Sequence, residues 1–282
     1  GYIGSVLLQL ICFVIILKPE LFGLNNGDKT LGPRISFLLV GLWWFGFSQI
    51  PFRVLPSNTA SNKKPKKHIL INGFHELKLV WNQVEQIPAL KRYLAAFFFL
   101  SVGVQTVMLV AAGYSKKNIF PKPEDEPKLI LTILLIQVVA IFGAIAMSKL
   151  SKKIGNIPTM LVGIVIWVAI CIWGYFITSQ TEFYILAACV GLVMGGIQSI
   201  GRSTYSKLLP ATTETTSFFS FYDVTEKIAL TIGLFLFAYN EELTGSMRNS
   251  ILVLMVFFII SFFALLYTKV VITREKYASL FH

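Results

Sequence analysis

The chain has 282 residues, of which 55% are hydrophobic and only 14% charged, with 24 Phe and a net charge of +11. A soluble domain carries roughly 25% charged residues, so water is not the main solvent of this chain. Cys12, Cys171 and Cys189 all sit in apolar runs and His68, His75 and His282 are scattered through polar ones, so no metal or disulfide spacing is present. No P-loop, GxSxG, HExxH or CxxC stretch occurs, and neither an enzyme nor a cofactor is expected. Gly1 already lies in an apolar run and no initiator Met precedes it, from which the true N-terminus is expected upstream.

A helix needs about 20 apolar residues to cross a bilayer core of ~30 Å. In chain order, eight runs meet or approach this length: Gly1–Leu17, Ile35–Phe52, Tyr93–Ala112, Leu129–Met147, Thr159–Ile177, Phe183–Ile200, Phe218–Tyr239 and Ser250–Tyr267. Backbone polar groups facing lipid must be satisfied within the segment, and the runs lack the alternation of barrel strands, so all eight are expected to be helices. The fold class is therefore all-α integral membrane protein with eight transmembrane helices.

Basic residues orient the spans. Segments 53–92, 148–158, 201–216 and 268–282 carry sixteen Lys or Arg against four acids, whereas the intervening connections carry eight of each. The first set is expected to be cytoplasmic, with the linker and the C-terminus on the inner side of the cell membrane. The basic balance then reflects topology and the anionic leaflet, not nucleic acid. The organisation read from these segments is 1–52 with two helices, 53–92 as a cytoplasmic linker, 93–267 with six helices and 268–282 as a tail. The linker opens with the polar stretch SNTASNKKPKK. It then becomes amphipathic from Phe74 to Ile87, where Leu77, Val80, Trp81, Val84 and Ile87 recur at helical spacing. Such a helix is expected to lie on the membrane face, with a regulatory contact as the alternative.

The run SFFSFYDVTEKIALTIGLFLFAY (Ser217–Tyr239) contains Asp223, Glu226 and Lys227. Without this trio the span would be Ile228–Tyr239, roughly 18 Å long and too short for the core. Starting at Phe218 gives about 33 Å, which fits, so the three charges are expected inside the membrane's inner half. Asp223 and Lys227 stand at i and i+4 in the favourable order for a pair. Glu226 is left as a carboxylate seeking a partner or a proton. Intramembrane ionisable groups mark ion or substrate paths or structural interhelix pairs, so a gate latch and a proton carrier both stay open. Gln105, Thr106 and Gln137 lie near mid-depth in the third and fourth spans, while the second, fifth and eighth spans have almost no such polar groups. Every third helix is thus expected to face lipid and the two between to face a cavity. Gly191 and Gly195 form a GxxxG, a signature of close helix packing.

A long basic linker, six spans after it and this three-helix alternation resemble the major facilitator superfamily, whose members have six helices, a cytoplasmic loop and six more. The stretch SKLSKKIGNIPTM (Ser148–Met160) is similar to the superfamily motif between the eighth and ninth helices, with Lys152, Lys153 and Gly155 at its basic and glycine positions. YLAAFFFLSVGVQTVMLVAAGY (Tyr93–Tyr114) and GGIQSIGRSTYSKLLPATTETTSFFSFYDVTEKIALTIG (Gly195–Gly233) resemble the vacuolar amino-acid effluxer branch, autophagy-related in fungi and with many bacterial members. The resemblance implies that the eight spans are the fifth to twelfth. It also implies a secondary transporter that works by alternating access, with amino-acid efflux as the activity of its fungal members. The family's arginine near the tenth helix falls on Arg202 and its acids at the eleventh on Asp223 and Glu226. Gln105, Gln137 and Thr106 are then the expected substrate contacts, and Arg202, Asp223, Glu226 and Lys227 the gating or coupling cluster. The expected partners are a small neutral or zwitterionic solute, protons and the bilayer. A non-transporting receptor or scaffold is the alternative, in which the mid-span polar groups would be sealed in protein.

Overall fold

A computed structural model of the chain describes residues 2–23, 30–54, 69–210 and 215–278. The polar stretch 57–67 and the last four residues of the tail lie outside them. The described residues form nine α-helices: α1 (Tyr2–Leu17), α2 (Leu31–Val54), α3 (Ile69–Glu85), α4 (Pro88–Asn118), α5 (Glu126–Ile154), α6 (Asn156–Phe176), α7 (Gln180–Leu208), α8 (Thr215–Thr244) and α9 (Met247–Ala278). Short 3₁₀ turns at Pro19–Phe22 and Pro123–Asp125 complete the regular structure.

Each long helix outruns the apolar stretch that predicted it, because main-chain hydrogen bonding continues into the polar flanks where water also solvates the ends. Boundaries fall where the side-chain chemistry demands them. Pro88 opens α4 at a position where a backbone N–H would find no intrahelical acceptor anyway. Ser179 and Glu182 cap the start of α7 reciprocally, each side chain accepting a backbone N–H of the other's end. Gly155 takes φ +91 between α5 and α6, a backbone that side-chain-bearing residues rarely adopt. α9 runs through the anticipated tail to Ala278.

Six helices, α2, α4, α5, α6, α7 and α9, are long and apolar enough to cross a membrane. The expectation of eight spans is met only to that extent: α1 has 16 residues, and α8 carries the charged trio within an otherwise apolar 30-residue helix.

The chain separates into two compact units, Gly1–Lys67 and His68–His282. In the first, α1 packs on α2, with Ile15 buried and Gly32 admitting the Ile15 carbonyl close to its backbone. In the second, α5 lies along α7, α4 along α8 and α9, and α6 against α7 and α9. The α5–α7 seam is backbone against backbone. A Cβ built on Gly191 would lie 2.5 Å from the Ile136 carbonyl oxygen, and one on Gly195 2.3 Å from that of Ala140. Gly143 across the seam leaves 2.0 Å to the Leu192 oxygen. Within lipid, where apolar side chains gain nothing by leaving the solvent, such close approach is the main source of helix association. Trp167 of α6 stacks on Phe258 of α9 at 5.3 Å and both are buried. The outward faces of these two helices, including Val162, Val165, Ile172, Val256, Ile259 and Phe263, remain apolar and exposed.

The amphipathic stripe of α3 is partly engaged by neighbouring helices. Val80 and Val84 are buried, the latter to 0% exposure, because α3 packs on α8 and α4. Part of its apolar face is thus covered by protein, while Phe74, Leu79 and Trp81 stay exposed.

Candidate functional site

α4, α7 and α8 converge on a set of polar side chains in an otherwise apolar body. Glu226 lies roughly 17 Å along α8 from Thr215 at 1.5 Å per residue. Its carboxylate accepts a hydrogen bond from the Gln105 side-chain amide of α4. One turn nearer the start of α8, Asp223 forms an ion pair with Arg202 of α7. The Arg202 guanidinium also stands over the rings of Tyr222 (5.5 Å) and Phe219 (5.9 Å).

The expected Asp223–Lys227 pair is therefore replaced by an interhelix pair. Arginine's planar fork matches a carboxylate, and the two rings beneath it hold the fork in place, which the flexible lysine stem has no means to match. Among the described residues Lys227 makes no ion pair. It lines a shallow groove along α8 with Asp223, Val224, Ile228, Thr231 and Ile232. Glu226, expected to be without a partner, has a neutral one in Gln105.

An aromatic plug underlies these groups. Tyr222 stacks on Phe97 at 4.2 Å and leans on Tyr205 at 4.9 Å. The Tyr93 hydroxyl donates to the Gly201 carbonyl (2.7 Å), and that of Tyr205 to the Phe218 carbonyl (2.8 Å). Tyr93 and Tyr205 thus join α4 to α7 and α7 to α8 through backbone carbonyls, and Tyr222 adds its ring to the same buried cluster. They were legible only as amphipathic residues in apolar runs, and nothing in spacing alone marks them as one cluster. Nearby, Asn156 at the start of α6 accepts from Ser151 (2.7 Å) and Lys207 (3.2 Å) and donates to Thr204 (3.1 Å). The turn in SKLSKKIGNIPTM is thereby tied to α7 through an amide.

The three anticipated substrate contacts separate. Gln137 lies in the wall of a cavity of about 250 Å³ between α4, α5 and α7, with Met108, Ile133, Ile136, Phe183 and Met194. Gln105 is engaged with Glu226 as described. Thr106 is fully buried, its hydroxyl pressed toward Gly233 of α8. Its position on α4, one residue on from Gln105, turns it by about 100° into the α4–α8 seam. Gln198 of α7 reaches Met108 of α4, an interhelical contact of the kind expected for a glutamine at depth.

At the far end of the bundle, Lys117 of α4 pairs with Glu241 of α8 at 2.8 Å. Lys128 donates to both Asp125 (2.7 Å) and Gln180 (3.2 Å), joining the α4–α5 connection to the start of α7. That hydrogen bond holds the Asp125 carboxyl below the usual carboxylate range. A carboxyl lowered on folding adds stability above its unfolded pKa and loses it as pH falls through the folded one. Melting temperatures of the parent and Asp125→Asn, measured from pH 7 down to pH 3, should differ most at pH 7 and converge at the acid end.

Membrane-length helices, few ionisable side chains paired between helices, and a small cavity among them define a polytopic membrane protein. The chain belongs to the family described as vacuole effluxer Atg22 like, whose model matches residues 1–277. It is 30% identical to the uncharacterised MFS-type transporter YxiO of Bacillus subtilis over 92% of this chain and 59% of that protein. It is 28% identical to autophagy-related protein 22 of Cryptococcus neoformans, over 83% of this chain and 44% of the relative. With autophagy-related protein 22 of Pichia angusta the identity is 26%, over 92% and 52%. The chain spans about half the length of these relatives.

Proposed function

We propose that the chain is part of a secondary transporter that moves a small neutral or zwitterionic solute by alternating access, with amino-acid efflux as its activity. In this reading all eight apolar runs cross the cell membrane, the linker and C-terminus are cytoplasmic, and 93–267 is one rocking half. The family and the transporter names of its relatives support the class. One observation carries the mechanism: Glu226, inside a helix that spans in this reading, hydrogen-bonds its carboxylate to a neutral amide and, among the described residues, makes no ion pair. A carboxylate so placed can gain or lose a proton without breaking an ion pair, and Gln105 links that event to α4. Arg202–Asp223 joins α7 to α8 at the same end and serves as the gate latch.

The solute's path runs past Gln137, whose side chain lines a cavity. That cavity favours a transporter over a non-transporting scaffold, which needs none. The test is Glu226→Gln in proteoliposomes, with a mixture of radiolabelled neutral amino acids as the solute and an imposed pH gradient. Gradient-driven flux should fall at least tenfold, while exchange without a gradient persists. Unchanged gradient-driven flux removes Glu226 from coupling.

A further inference from the structure

α3 stands outside the proposed path, yet it is docked on the element that carries the charges. Its inward stripe, Val80 and Val84, is buried on α8 and α4. The Trp81 ring lies 6.0 Å from that of Phe221, two residues before Asp223. Its outward face is mixed, with Glu76, Lys78 and Asn82 exposed beside Phe74 and Leu79. Its far end is tethered differently. Gln86 and Ile87 form a tight turn before Pro88, and Glu85 pairs across that turn with Lys91 at 3.0 Å. The Lys91 ammonium also stands 5.8 Å from the centre of the Trp81 ring.

The two attachments differ in strength. The attachment to α4 combines the covalent turn, the Glu85–Lys91 pair and part of the valine stripe, so α3 follows α4. The attachment to α8 is apolar, made of side chains that an outward move of α8 would expose to water. We infer that α3 is a strap that holds the inner end of α8 in the arrangement described here and lets go of Phe221 when the Arg202–Asp223 latch opens. The inference rests on the transport reading. It adds a contact on the cytoplasmic surface that favours one state, through which the linker could set the transport rate.

A disulfide across the contact tests it. Trp81→Cys and Phe221→Cys are combined after replacing Cys12, Cys171 and Cys189 with alanine, and flux of the neutral amino-acid mixture is measured oxidised and reduced. Oxidation should cut flux at least tenfold and reductant should restore it. A bridge that forms without slowing flux overturns the strap, and so does failure of the two cysteines to bridge. If the cysteine-free protein without the pair is itself inactive toward the mixture, the transport reading fails instead. Hydrogen exchange on the unmodified protein covers damage by the substitutions. The α3 amides from Gly73 to Glu85 should lose protection at least fivefold when the amino-acid mixture is added, and unaltered protection alongside an altered inner end of α8 overturns the inference.

Discussion

Gly195→Leu should leave the protein unable to form a monodisperse species in detergent, and Gly195→Ala should melt well below the parent. A Cβ on Gly195 meets the Ala140 carbonyl oxygen at 2.3 Å, and the obstacle is main chain, which has no rotamer to change. Ordinary contact requires α5 and α7 to part by about 1 Å along the whole seam, losing the dispersion contacts that take the place of the hydrophobic effect in lipid. Overpacking a filled interior costs roughly 1–3 kcal/mol, and a rigid backbone obstacle puts this site at the top of that range. Gly113→Ala is the matched control. There a Cβ finds only the Met247 methyl at 3.9 Å, and alanine is favoured over glycine in a helix by up to about 1 kcal/mol. Thermal unfolding in detergent should therefore show Gly113→Ala at or above the parent and Gly195→Ala far below it.

The second large effect concerns activity. Arg202→Glu should reduce amino-acid flux by one to two orders of magnitude, and Asp223→Arg should do the same. The reversed pair, Arg202→Asp with Asp223→Arg, should recover a substantial part. The side chains of Arg202 and Asp223 are 55% and 52% exposed, and half-exposed pairs contribute only about 0–1 kcal/mol to stability. Melting temperatures should accordingly change little. The cost of reversing one charge is expected to fall on transport, because two like charges facing each other disfavour the state in which α7 and α8 meet. Arg202→Lys should be intermediate: it keeps the charge but loses the fork and the stacking over Tyr222 and Phe219. A full effect on flux with no change in melting, and rescue by reversal, is the signature of a latch. Equal loss in the reversed pair would mean that Arg202 or Asp223 acts alone.

Much of the helical layout was legible in the sequence, because an apolar run of given length and the rise of a helix are local properties. The need for Asp223, Glu226 and Lys227 to lie inside a helix came from length alone, and α8 runs unbroken through all three. The glycine seam was readable for the same reason: Gly191 and Gly195 are one turn apart, so they share a face whatever lies opposite.

Partner choice was not readable. Asp223 and Lys227 satisfy the intrahelical spacing rule, but that rule does not include an arginine 21 residues earlier, or the rings that position it. Gln105 and Glu226 are 121 residues apart. Their meeting depends on the register of α4 against α8, set by close contact at Gly233 and Thr106 and by the Phe97–Tyr222 stack. Thr106 and Gln105 look alike as mid-span polar residues, and only the rotation of α4 sends one into a seam and the other to a carboxylate. In α3 periodicity identified an apolar face but not what covers it, since lipid and protein reward the same stripe.

By itself the sequence thus determined where helices run, that three charges lie within one of them, and that two helices touch through glycine, all consequences of rise, length and solvent. Tertiary structure alone decided which charge meets which amide or guanidinium, and that α3 rests on α8. Those outcomes depend on interhelix register, which is a property of packed surfaces and not of any single segment.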